Sequence, residues 1–355
     1  MNMEIVDRKC GWIAIAACLC MGCQWQELEN RGGIRDSQIH QRESARTGPI
    51  QAVATVGMVG DLVREIGGER VAVRVLMRSG VDPHLYKATR TDVLALLEAE
   101  IVFQNGLMLE GKMVHVLKRT GQSRPVWSVG EEVLAQTGDL ILGGDHIDPH
   151  LWMDISMWVR AARIIHQRLA DFDPAGSDYY AARTEDLVDR LNGLHGYAQK
   201  VIATIPESSR VLVTSHDAFG WFGRAYGFEV FGVQGLSTES EAGLRRVNSL
   251  VKLISDRQVP AVFLESSVPA RGIAALVDGV RARGQTVNIA GPLYSDALGP
   301  AGTYEGTYLG MLDHNITMIA DELGGSPPAG GWQGFLSSAN APQSQKHGVV
   351  LESKP

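Results

Sequence analysis

No cysteine lies beyond residue 23 in this 355-residue chain; the four present are Cys10, Cys18, Cys20 and Cys23. A disulfide framework would scatter cysteines through the fold, so none is expected. Thiolate zinc sites and cysteine nucleophiles are excluded from the main body for the same reason. Aromatic residues are sparse, at 6%, which leaves little material for a base-stacking surface. An excess of basic residues is also missing: 33 Lys and Arg stand against 40 Asp and Glu, a net charge of −7. Phosphate binding needs a basic face, so nucleic acid is not expected as a partner. No apolar run reaches the roughly 20 residues of a membrane-spanning helix. What remains is 45% hydrophobic and 21% charged, ordinary for a globular protein, and long enough for two lobes with separate cores. Forty glycines against fourteen prolines suggest many short turns.

The amino terminus reads as an export signal. Arg8 and Lys9 precede an apolar stretch from Cys10 to Cys23, too short to span a bilayer and suited to a signal-peptide core. The ending Leu19-Cys-Met-Gly22-Cys23 resembles a bacterial lipoprotein processing site, which makes Cys23 the candidate lipidation site of an extracytoplasmic, membrane-anchored or periplasmic protein. Residues 24–50 are polar without an apolar period and read as a flexible tether. Residues 325–355, rich in Gly, Pro, Ser and Gln, read as a disordered tail.

Between these ends, strand-like runs at 52–56, 71–76 and 101–103 alternate with helical patterns at 61–66 and 91–98. The alternation returns after residue 210, with strands at 211–213, 230–231, 261–264 and 287–290 and helices at 244–256 and 270–283. Such βαβα order predicts an α/β fold: two lobes, each with a mainly parallel sheet flanked by helices. Residues 156–170 are helical, and 177–204 run without a proline, with Leu187, Leu191, Leu194 and Val201 at helical spacing. The expected organisation is an N-terminal lobe at 51–176, one long connecting helix at 177–204 and a C-terminal lobe at 205–324. The alternative is two helices broken near Gly193 and Gly196.

Three of ten histidines occupy unusual settings. His84 ends Gly80-Val-Asp-Pro-His84, His150 ends Asp145-His-Ile-Asp-Pro-His150, and His216 follows a strand in Val213-Thr-Ser-His216. Proline fixes its own φ and biases the residue before it toward extended geometry, so a ring directly after it projects from a stiff loop. Pro149 also argues against reading His146 and His150 as a helical metal pair. Ligand groups in open α/β sheets gather on loops beyond the carboxyl ends of strands. His84, His216 and Asp296 sit on such loops. With His150 they would make a four-ligand divalent metal site, two ligands per lobe. The blander reading makes Asp82, Asp148 and Asp217 helix caps and leaves the histidines in solvent.

At this point the sequence resembles the metal-binding receptors of bacterial ABC transporters for manganese, zinc or iron. The matching stretches are Val81-Asp-Pro-His-Leu-Tyr86, Asp148-Pro-His-Leu-Trp-Met-Asp154, Thr214-Ser-His-Asp-Ala-Phe-Gly-Trp-Phe222 and Leu293-Tyr-Ser-Asp-Ala-Leu298. The resemblance implies that His84 and His150 ligate from the first lobe and His216 and Asp296 from the second, with a long helix joining them. It also bears on the metal. Zinc receptors of this family often carry a His-rich loop between the first two ligands, and residues 85–149 hold only His115 and His146. Manganese receptors often have Glu where this chain has His216. Imidazole suits zinc and carboxylate suits manganese, so Mn2+ and Zn2+ stay undivided, with Fe2+ behind them.

The expected function is capture of a divalent cation outside the cytoplasmic membrane and delivery to an ABC permease, by a monomer without catalytic activity. A metal-dependent hydrolase is the rival class, with Asp217 or Glu265 cast as its base. No His-Glu-x-x-His or Gly-x-Ser-x-Gly motif supports it. A surface adhesin lipoprotein is a third possibility that no motif indicates.

Overall fold

A computed structural model describes residues 48–336. The export signal, the candidate lipidation site Cys23, tether residues 24–47 and tail residues 337–355 lie outside the described residues.

The first lobe comprises β1 (Ile50–Ala54), α1 (Gly57–Gly67), β2 (Val71–Val75), α2 (Arg90–Glu98), β3 (Ile101–Gln104), α3 (Val114–Thr120), β4 (Val126–Ser128) and α4 (Val129–Thr137). Its sheet is wholly parallel, in the order β2-β1-β3-β4. The first strand starts at Ile50, which is fully buried, so the polar tether stops before it. A two-residue hairpin, β5 (Leu142–Gly143) and β6 (His146–Ile147), precedes α5 (Ile155–Phe172). The long α6 (Ser177–Ile202) follows.

The second lobe comprises β7 (Val211–Thr214), α7 (Gly220–Tyr226), β8 (Glu229–Gly232), α8 (Leu244–Arg257), β9 (Ala261–Glu265), α9 (Arg271–Ala282), β10 (Asn288–Leu293) and α10 (Tyr308–Glu322). Its sheet is again parallel, in the order β10-β9-β7-β8. Period-two alternation divides its strands between two cores. Leu212, Ala261 and Phe263 join a large cluster that continues through α5, α6, α10 and the first lobe. Val211, Val213 and Val262 face the other way, against α8 and α9.

Both Asp-Pro-His loops end on capped helices. Thr89 and Asp92 form a reciprocal capping box at the start of α2, and the Tyr86 hydroxyl donates to Asp92 at 2.6 Å. Asp154 caps α5 by accepting from the Ser156 amide at 2.9 Å. Each cap satisfies amides that the first turn cannot, which fixes where the loop hands over to the helix.

Helix α6 is continuous for 26 residues, passing through Gly193 and Gly196 without a break. It packs on α1 and α5 on one side and on α10 on the other. The tail departs from its compositional reading over 325–336. The Trp332 amide donates to Asp313 at 2.9 Å, and Leu336 is buried. Two apolar anchors hold a stretch whose Gly and Pro content alone suggests disorder.

The two glycines of α6 differ in surroundings, and a substitution pair separates them. A Cβ at Gly193 would stand 2.8 Å from the Trp332 ring, whereas nothing lies within 4 Å of one at Gly196. Gly196→Ala should stabilise the protein by about 0.5–1 kcal/mol through helix propensity and reduced unfolded-state entropy. Gly193→Ala should give no gain, because Trp332 must shift. Urea unfolding monitored by circular dichroism checks both; equal effects would overturn this account of α6.

Candidate metal centre

Four side chains from four loops converge between the lobes. His84 follows β2, and His150 follows β6 and precedes α5. His216 follows β7, and Asp296 follows β10. One ligand atom from each lies within 4.8 Å of every other, and all four residues are buried. His84 Nε2 is 3.4 Å from His150 Nε2 and 3.7 Å from Asp296 Oδ2. His150 Nε2 is 3.4 Å from Asp296 Oδ1, and His216 Nε2 is 3.1 Å from Asp296 Oδ2. A tetrahedral ion with N or O ligands about 2.0–2.1 Å away sets neighbouring ligand atoms about 3.4 Å apart. The measured edges bracket that value. Despite this closeness, His216 Nε2 and both Asp296 carboxylate oxygens lack an aligned hydrogen-bond partner among the described residues. Buried polar atoms left so are expensive, and a cation at the centre would satisfy all three.

Carboxylates hold two of the rings from behind. Asp148 Oδ1 lies 2.8 Å from His150 Nδ1 and also accepts the His150 amide at 2.9 Å. Glu265, at the end of β9, lies 2.5 Å from His216 Nδ1 and accepts the His216 amide at 2.8 Å. A carboxylate on Nδ1 puts the ring proton there and leaves the Nε2 lone pair facing the other ligands. Glu265 is thereby committed to His216 and is not free to act as the base of a hydrolase. Asp148 does more than cap a helix: its second oxygen approaches Gly220, where an added Cβ would come within 2.6 Å of it.

The loops themselves are held by further groups, most of them outside the matching stretches. Asn315 on α10 accepts the Tyr294 amide at 2.9 Å and donates to the Tyr294 carbonyl at 2.7 Å, two residues before Asp296. The Trp152 indole donates to the Ser295 carbonyl at 2.8 Å, tying the His150 segment to the Asp296 loop. Asn105 donates to the Pro149 carbonyl at 3.1 Å. Glu110, fully buried, accepts from Thr55 at 2.6 Å and from the Asn105 amide at 2.8 Å, which fixes Asn105 in turn. At Gly232 the backbone of His216 passes so closely that an added Cβ would lie 2.6 Å from it. Only glycine fits there.

Electrostatics follow from this packing. Burial pushes the Asp296 carboxyl upward, but His216 and His150 outweigh it and hold it well below the usual carboxylate range. Burial pushes the His216 imidazole down, and Asp296 and Glu265 outweigh that, leaving it well above its ordinary value. His150 behaves alike: burial lowers it, Asp148 and Asp296 raise it, and it reaches about 9. Among the described residues, no carboxylate stands behind the His84 ring. Burial takes it down to about 3, against the pull of Asp296.

This chain is similar to proteins of known kind along its whole described body. The family described as "Zinc-uptake complex component A periplasmic" matches residues 52–322. The manganese-binding lipoprotein MntA of Bacillus subtilis (strain 168) is 44% identical over 278 residues, covering 77% of this chain and 90% of that one. The zinc-binding protein TroA of Treponema pallidum (strain Nichols) is 42% identical, covering 79% and 91%. The solved structure of the periplasmic zinc-binding TroA superposes with a TM-score of 0.75, covering 78% of this chain and 99% of that one. That of Fe(III)-bound YtgA from Chlamydia trachomatis, 28% identical, superposes at 0.73 with 78% and 99% covered. The two parallel sheets, the buried cluster between them and these likenesses together make the chain a member of the zinc-uptake component A family, the metal-binding substrate-binding proteins of bacterial ABC transporters.

Proposed function

We propose that the protein binds one divalent metal ion, Mn2+ or Zn2+, through His84, His150, His216 and Asp296, and delivers it outside the cytoplasmic membrane to an ABC permease. The observation that supports this reading is the convergence of three imidazole nitrogens and an Asp296 oxygen, all on buried residues, within 4.8 Å of one another. Three imidazoles and one carboxylate suit both ions, and the names of the relatives divide between manganese and zinc. Iron is named for one structural neighbour. The receptor acts as a monomer without catalysis of its own. Four protein ligands would complete a tetrahedral ion, an arrangement that suits capture rather than hydrolysis. Elemental analysis after purification without added metal decides between the ions.

Each ligand is testable. His84→Ala, His150→Ala, His216→Ala and Asp296→Ala should each weaken Zn2+ or Mn2+ binding by at least about 100-fold in competition with a chelating dye, with stoichiometry near one in the parent. Parent-like affinity in His84→Ala or His150→Ala would sink the assignment.

Acidity should oppose loading. Coordinating imidazole must be neutral, whereas the metal-free site holds protons on His150 and His216 at neutral pH because both are raised. The ion must displace about two protons, so apparent affinity falls as pH drops and rises as pH climbs. Calorimetry at pH 7 in buffers of different ionisation enthalpy should register that release. Binding without proton release would contradict the electrostatic account.

Anchoring rests on Cys23. One acyl chain gives only marginal membrane attachment, and a lipoprotein cysteine carries several. Cys23→Ser should move the protein from the membrane to the soluble fraction after cell lysis; unchanged fractionation would place the anchor elsewhere.

A further inference from the structure

A chain of buried hydrogen bonds crosses between the lobes and ends beside the metal centre. It starts at Asp61 of α1, in the first lobe. Asp61 Oδ2 accepts the Tyr308 amide at 2.8 Å. Tyr308 is the first residue of α10, in the second lobe, so this amide is one that the helix itself cannot satisfy. The Tyr308 hydroxyl donates to the Trp152 carbonyl at 2.7 Å, back in the first lobe. The Trp152 indole donates in turn to the Ser295 carbonyl at 2.8 Å, across to the second lobe again. Trp152 closely follows His150 in the chain, and Ser295 directly precedes Asp296.

Asp61 also lines a cavity of about 220 Å³ bounded by α1, α6 and the start of α10. Trp332 and the exposed Phe335 share the lining, so solvent reaches into it. A carboxylate at the amino end of a 15-residue helix is favoured when ionised, because its charge meets free amides and the positive end of the dipole. Burial opposes that and raises the Asp61 carboxyl to about 6, against the pull of the Tyr308 amide; Glu65 adds to the rise, and Arg64 and Arg190 offset part of it. Arg64 and Glu65 share its helix, Arg190 faces it from α6, and Tyr304 and Tyr308 line the cavity from the second lobe.

Building on the ligand set proposed above, we propose that Asp61 and Tyr308 are positioning residues for the metal centre: through Trp152 they hold the His150 segment and the Asp296 loop at coordinating distance before the ion arrives. Ligands already in place cost no ordering when the ion binds, so a break anywhere along the chain lowers affinity. Ionised Asp61 is the stronger acceptor, since charge on one partner strengthens a hydrogen bond. As pH falls through about 6 the carboxyl takes up a proton and its hold on Tyr308 weakens. Affinity then drops further than the ligands' own protons require.

The test measures Zn2+ affinity against a chelating dye in the parent, Tyr308→Phe, Trp152→Phe, the double variant and Asp61→Asn, each first shown folded by circular dichroism. Tyr308→Phe and Trp152→Phe should each lower affinity about tenfold, with one ion still bound and the Co2+ visible spectrum retained. Serial bonds fail together, so the double variant should lie within about twofold of the weaker single. A double-variant loss equal to the product of the single losses overturns the relay, as does affinity within about twofold of the parent in both singles. Asp61→Asn keeps the shape of the acceptor and removes its charge. It should bind about threefold more weakly than the parent at about pH 7.5, and equally at about pH 5, where the parent's own carboxyl is neutral. Comparing the two proteins at each pH cancels the protons that the ligands release. A ratio that stays constant with pH overturns the role of Asp61. If Trp152→Phe does not fold, Tyr308→Phe and the Asp61→Asn profile decide alone. Asp296→Ala separates the levels: parent-like binding by that variant removes the ligand reading itself, whereas its loss of binding beside parent-like Tyr308→Phe and Trp152→Phe removes only the relay.

Discussion

A buried carboxylate ringed by three imidazoles is the constraint on which this architecture depends. Asp296 is nearly inaccessible, and imidazole nitrogens of His84, His150 and His216 lie close to its oxygens. Such a charge is costly in the interior of a protein and stays there only with a compensating positive charge. Three imidazole Nε2 atoms lie within 3.7 Å of it, and protons on His150 and His216 supply that charge when no ion is bound. A divalent ion supplies it better, because it also accepts the Nε2 lone pairs. Metal and protons therefore compete for one charge-balance problem, and the competition ties capture to ambient acidity.

The rest of the fold brings the four groups together and limits their motion. Loops beyond the carboxyl ends of the two parallel sheets supply His84, His216 and Asp296, and the segment after the β5–β6 hairpin supplies His150. Helix α6 packs on elements of both lobes and shares with them a single apolar cluster. Bending a continuous helix breaks backbone hydrogen bonds, so a wide hinge motion is expensive. Whatever motion admits the ion has to come from loops. An ion held by the proposed ligands, two from each lobe, would stabilise the folded form by mass action, since the unfolded chain has no comparable site.

Much of this was legible before any coordinates. Strand and helix alternation recovered the α/β lobes, because central strands such as Ile101–Gln104 and Val211–Thr214 are short apolar runs buried on both faces. The four converging residues were legible because Pro83 and Pro149 mark stiff loops, and His216 and Asp296 follow apolar strands. Helix α10 was not read from the sequence. Its Asp313, His314, Asn315 and Thr317 are buried and interrupt the apolar period that a surface helix would show. Asn105 and Asn315 escaped for a related cause: they serve backbone carbonyls and amides in loops far away in sequence, and no spacing rule announces such a bond; Glu110 escaped because its partners are two nearby amides and the distant Thr55 hydroxyl. Thr238 is the sharpest case, 156 residues from the Asp82 it contacts.

Supports of the two well-anchored imidazoles are ordered by depth. Asp148 and Glu265 are both almost wholly buried, and each contacts the ring and the amide of its own histidine. Moving either ring would strand a buried carboxylate as well as an imidazole, and the second loss makes the first improbable. His84 carries no such penalty, since only its amide is tied, to a half-buried Asp82.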